Sequence, residues 1–200
     1  MPSVNYTKLE DMTESDAAGW VAYDEAEERT EFPDRLLAAL GDMNNSLELL
    51  PIGRLDHSLQ SATRAFRDGR SEQYCVAALF HDLGDSLAPF SAGEYAAAIL
   101  KPFVEERICW IVEHHEIFTL HYYGEFFGAD RNARDRYLGH PFYSDAVEFS
   151  ALYDQNCFDP EYETLSVEFF RPMVHRVFGE LRFPPEGREY LLTANRPNRP

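Results

Sequence analysis

Three histidines and two aspartates carry the residue types and surroundings that could do chemistry in this chain. His57 lies in "RLDHSLQSATRAFRDG", His81 and Asp82 are adjacent in "FHDLGD", His115 lies in "VEERICWIVEHHEIF", and Asp154 closes on "ALYDQN". Imidazole and carboxylate donors with no thiolate suit iron, manganese or zinc with coordination positions left open, which means a catalytic ion and not a structural one. Taken singly, each residue has a plainer reading: a histidine on an apolar helix face is more often a hydrogen-bonded core group, and a His-Asp pair ahead of a glycine is often the solvated end of a helix. Three such histidines on separate apolar segments, joined by Asp82 and Asp154, favour the metal reading, because helix bundles build metal sites from inward side chains on facing helices. His81 and Asp82 stand about 100° apart around a helix axis, so they share an ion only if it lies near the line between them. Gly84 ends the segment there and leaves room.

The elements that must position these residues read as helices throughout. "FPDRLLAALGDM" starts with Pro33 in a first turn and stops at Gly41. "RLDHSLQSATRAFRDG" repeats Leu55, Leu59, Ala62 and Phe66 at near-helical spacing and ends at Gly69. "SEQYCVAALFHDLG" is capped by Ser71, and "SAGEYAAAIL" opens with Ser91 and Glu94 in capping-box register. "VEERICWIVEHHEIF", "YSDAVEFSALYDQN" and "SVEFFRPMVHRVF" complete the set, the last kinked or broken at Pro172. No stretch alternates with the period of a strand, so the chain is expected to be an all-α domain over residues 31–180. Residues 1–30 form an N-terminal arm and 181–200 a polar tail, whose end "ANRPNRP" is too rich in proline to pack.

Composition narrows the function classes. The 200 residues are 44% hydrophobic, which suits one domain with a full core. A formal charge of −17, from 35 acidic and 18 basic residues, repels phosphate backbones and argues against nucleic acid. No run is apolar enough for a membrane helix, and the first residues lack a signal-peptide pattern, so a soluble cytoplasmic protein is expected. Cys75, Cys109 and Cys157 are odd in number, far apart and set among apolar residues, which implies buried reduced thiols. Neither a zinc ribbon nor a glycine-rich nucleotide loop is present.

The ordered set His57, His81–Asp82 and Asp154, with His115 between, resembles the signature of the HD-domain superfamily, all-α metal-dependent phosphohydrolases. Residues 56–85, through "HSLQ" and "HDLG", look most like the phosphonate-cleaving HD oxygenase and, more distantly, myo-inositol oxygenase. The resemblance covers roughly residues 50–160 and implies an HD-domain helical bundle with a buried metal site. It makes His57, His81, Asp82 and Asp154 ligands of a first iron and His115 a ligand of a second. It implies O2 as co-substrate, and Gln60, one turn from His57, as a residue near a small-molecule substrate. Two departures stand out. A second-iron histidine of that branch lines up with Ala92, so Glu94 or His114 substitutes, or the second site is weak, or the chain holds one ion. The residue after "HDLG", basic or imidazole in those oxygenases, is here Asp85, which either favours an amine or hydroxyl-bearing substrate over a phosphorylated one or only faces solvent.

Three functions follow as expectations: an iron oxygenase with one or two ions, a phosphohydrolase using manganese or another divalent metal, and a retired HD fold that only binds. A scarcity of lysine or arginine near the site weighs against the second. Tyr122 and Tyr123 either wall a cation pocket or pack in an aromatic core. His121, His140 and His175 are read as structural or surface residues, and Lys101 as an exposed helix end.

Overall fold

The computed structural model describes residues 6–26, 31–43 and 50–189; the expected "ANRPNRP" tail lies outside them. Its helices are α1 (Glu14–Ala26), α2 (Phe32–Asp42), α3 (Arg54–Arg67), α4 (Glu72–Phe80), α5 (Ala92–Leu100), α6 (Glu106–Tyr123), α7 (Tyr143–Tyr153) and α8 (Val167–Phe178). Short 3-10 turns at Leu83–Ser86 and Gly124–Phe127 follow α4 and α6. Among the described residues there is no strand. The all-α expectation holds.

Seven consecutive residues, Tyr74 to Phe80, are buried, so α4 has no polar face and lies at the centre of the bundle. It packs against α3, α6 and α8, while α5 and α7 flank α6 and α2 covers α8. Aromatic rings close the far end: Phe178 meets Phe32, Phe80 and Phe103 edge-on, with centroids 5.7, 5.6 and 5.1 Å away. α1 adds no fully buried side chain among those described, so the N-terminal arm holds a helix but not core.

Punctuation decided some helix ends as expected and not others. Ser71 accepts from Tyr74 N at 3.3 Å and caps α4. Ser91 makes no such bond at the head of α5. There the Glu116 carboxylate, reaching from α6, accepts from Gly93 N at 3.4 Å, and a tertiary contact replaces the local capping box. α8 runs through Pro172 without a break. Pro172 is exposed and one turn inside the helix, where the carbonyl it leaves without a partner can turn to water.

α3 is the unusual element. Its buried residues include His57, Ser58, Gln60, Ser61 and Thr63 beside Leu59, Ala62 and Ala65. Burying a polar face costs most where a group finds no partner, as at Ser58 Oγ, so the partners of the other groups matter. Ser61 Oγ donates to Tyr153 O, and Thr63 Oγ1 accepts from Leu165 N at 3.0 Å. The face is thereby sewn to the chain between α7 and α8.

Candidate metal centre

The five sequence-selected donors arrive from four helices and meet. His57 sits in the first turn of α3, and His115 in the middle of α6. His81 is the residue that ends α4, and Asp82, with φ −97° and ψ 10°, has already left the helix. That departure lets two neighbours in sequence face one point. Asp154 ends α7 in the same way, with φ −133° and ψ −79°. Gly84 allows the turn after Asp82 to press on the head of α5: a Cβ there would lie 2.6 Å from Ala92 Cα.

His57 Nε2 is 3.2 Å from His81 Nε2, 3.4 Å from Asp82 Oδ2 and 3.6 Å from Asp154 Oδ1. His81 Nε2 is 3.4 Å from Asp82 Oδ2, and His115 Nε2 is 3.1 Å from Asp82 Oδ1. Two groups of donor atoms, His57–His81–Asp154 and His81–Asp82–His115, each lie within 4.8 Å of one another.

The three histidines share one orientation. Nδ1 of His57, His81 and His115 faces the carbonyls of Cys157, Ala78 and Val112 at 2.9, 2.8 and 2.7 Å. A carbonyl only accepts, so each Nδ1 carries the proton and donates it, and each Nε2 points its lone pair inward when the ring is neutral. Two such lone pairs, on His57 and His81, face each other at 3.2 Å with no proton to satisfy both. Two donors about 2.1 Å from one ion and about 100° apart stand about 3.2 Å from each other, so a cation between them fits the spacing.

In the metal-free protein Asp82 is the anion of the cluster and His115 its cationic partner. Burial works against ionising Asp82, but the surrounding imidazoles, His81 foremost, hold it below the usual carboxylate range. Burial lowers His81. Burial also opposes protonation of His115, yet its bond to Asp82 and that carboxylate's charge raise it to about 10. Asp82 thus remains an anion at neutral pH. Thr119, one turn beyond His115, donates to Asp154 Oδ2 and lies 3.1 Å from Ser150 Oγ. Phe158 stacks on His57, with centroids 4.5 Å apart and planes 25° apart.

Other sequence expectations are revised. Gln60 does not face the donors: its Nε2 donates to Asp159 O at 2.9 Å and its Oε1 accepts from Asp159 N at 3.2 Å. Asp85 is about a quarter exposed but not alone, since Arg54 Nη1 lies 2.8 Å from its Oδ2. Burial and the charge of Asp82 still raise Asp85 to about 6, against the pull of Arg54. Arg54 therefore corrects the expectation that lysine and arginine are scarce near the site; its position one turn before His57 was the signal. Glu94 is exposed, and His114 stacks on Trp110 with centroids 4.3 Å apart, so neither takes the place of a donor at Ala92. Tyr122 and Tyr123 are each about two-fifths exposed and are not core; the charges of Asp154, Glu116, Asp82 and Asp85 raise Tyr123 further after burial has done so. His121 faces Arg131 O at 3.3 Å, His140 stacks on Trp110 and His175 meets Asp34, all outside the donor cluster.

No protein-family model matches this chain, and no curated protein matches it.

Proposed function

We propose that this protein is a metalloenzyme of the HD type in which His57, His81, Asp82 and Asp154 hold one iron ion and His115 and the second oxygen of Asp82 face another. The carrying observation is the Asp82 carboxylate, with Oδ2 3.4 Å from both His57 and His81 and Oδ1 3.1 Å from His115. A carboxylate with each oxygen facing a different set of imidazoles is built to bridge. The inward Nε2 atoms, held by three backbone carbonyls, support the same reading.

The reaction proposed is oxidation by O2 of a small hydroxylated substrate. Iron bound there would supply redox chemistry and an acidic centre for the substrate's hydroxyl group. The chain's own residues do the rest. Buried imidazoles hold the donor geometry, Thr119 keeps Asp154 turned inward, and Phe158 shields His57 from water. Asp85 and Arg54 stand beside the donors as a matched pair, so a substrate meets a carboxylate and a guanidinium together.

One observation favours a second reading. Arg54, with its side chain one-fifth exposed, supplies the cation that a phosphohydrolase of this superfamily would use to hold a phosphoester, with manganese or another divalent ion activating water. Its charge is already matched by Asp85, which makes this the weaker alternative. The protein loaded with iron(II) under nitrogen, then exposed to O2 with panels of amino alcohols and polyols, tests the choice. Substrate-dependent O2 uptake supports the oxygenase; phosphate release from phosphoesters with manganese, and no O2 uptake, supports the hydrolase.

A further inference from the structure

Gln60 is buried, and both ends of its amide are taken by one residue's backbone, Asp159 N and O. Two residues earlier in the same segment, Cys157 O receives the Nδ1 proton of His57 at 2.9 Å. Between them Phe158 lies flat on the His57 ring. His57 and Gln60 are one helical turn apart on α3, so one face of one helix grips residues 157–159 at two points, and the middle residue covers the ring. Cys157 N is also tied to Asp154 O at 2.9 Å, and the Gln60 bonds add a tie beyond Phe158, on the same face of α3 as the ring.

We infer that Gln60 is a positioning residue: by clamping the backbone of Asp159 it holds the Cys157 carbonyl on His57 Nδ1, and so fixes the tautomer and direction of a metal donor. The inference rests on the metal reading for its consequence, but the clamp itself is a property of the protein without metal. Partners that orient a ligating histidine typically change metal affinity 10–100-fold when lost. Thr63, one turn further along α3, offers a built-in control, since its hydroxyl bonds Leu165 N at 3.0 Å and Leu59 O at 2.7 Å and not residues 157–159.

The test uses Gln60→Leu, similar in size and unable to bond, Gln60→Glu, which keeps an acceptor for Asp159 N, and Thr63→Val. Proton NMR of the metal-free protein follows the His57 Nδ1 proton, and cobalt(II) titration follows affinity and the visible absorption of the bound ion. In both Gln60 variants the Nδ1 proton should exchange faster with solvent, cobalt affinity should fall 10–100-fold and the absorption band should shift. Thr63→Val should lower the melting temperature and leave proton, affinity and band unchanged. If either folded Gln60 variant keeps the wild-type Nδ1 exchange and cobalt band, or if Thr63→Val loses them equally, the inference is overturned. Should Gln60→Leu not fold, Gln60→Glu and the Nδ1 exchange decide. If the wild-type protein takes up no cobalt, the metal reading fails while the exchange data still judge the clamp.

Discussion

Asp82 Oδ1 stands 3.1 Å from His115 Nε2, while the other oxygen of the same carboxylate is turned away, towards His57 and His81. One carboxylate therefore joins donors from α3, α4 and α6. Replacing Asp82 by Asn keeps the shape and removes the charge. Metal affinity should fall at least 100-fold, more than for a residue that only orients a ligand. The metal-free protein should also lose about 3 kcal/mol, because His115 is raised to about 10 by that carboxylate and would lose its partner in a buried setting. Cobalt titration and urea unfolding measure the two effects, and an unchanged affinity would remove Asp82 from the site.

The second ion should be the weaker. Beyond Asp82 and His115, neither Glu94 nor His114 reaches the cluster, and Ala92 has no donor. Calorimetric titration with iron(II) or cobalt(II) should resolve one tight ion and a second bound about 10–100-fold more weakly. Two equally tight ions would mean that another residue completes the second set.

Two glycines should respond to alanine in opposite directions. A Cβ at Gly84 would fall 2.6 Å from Ala92 Cα and 2.9 Å from its carbonyl carbon, a backbone clash that no rotamer relieves. Gly84→Ala should cost about 1–3 kcal/mol, lowering the melting temperature by about 2–4 °C per kcal/mol, and should weaken metal binding, since the turn carries Asp82. Gly41 lies within α2 with nothing within 4 Å of an added Cβ. Gly41→Ala should stabilise by up to about 1 kcal/mol. Scanning calorimetry of the two variants compares them directly.

The thiols should be silent in the native protein. Burial pushes Cys75 and Cys109 up to about 11 and Cys157 up to about 12. A thiol raised this far is protonated at pH 8 and forms thiolate only as the pH climbs towards those values. Ellman's reagent at pH 8 should label none of the three within minutes and all three after unfolding in guanidinium. Fast labelling of the folded protein would place a cysteine at the surface.

Much of this was legible in the sequence because local rules and burial agreed. α4 reads as buried from Tyr74 to Phe80 since every residue there is apolar or small, and the donors were selected by type on apolar helices. What was hidden depends on contacts far apart in the chain. Nothing local marks the polar Ser58, Ser61 and Thr63 of α3 as core, yet they are buried, and Ser61 and Thr63 bond backbone of the segment from Tyr153 to Leu165. Gln60 was placed near a substrate by resemblance, and only the position of Asp159 gives it another partner. Arg54 was overlooked because its role depends on Asp85, which the turn at Gly84 brings to it. The capping box at Ser91 failed for the same kind of reason: Glu116, from a different helix, reached Gly93 first.

The most direct test of the central claim is anomalous diffraction at the iron absorption edge from crystals of the protein grown and loaded with iron(II) without oxygen. A peak about 2.0–2.3 Å from His57 Nε2, His81 Nε2 and carboxylate oxygens of Asp82 and Asp154 is predicted, with any second, weaker peak between Asp82 and His115. No peak within reach of these side chains at full iron loading, or a strong peak elsewhere on the surface, would contradict it.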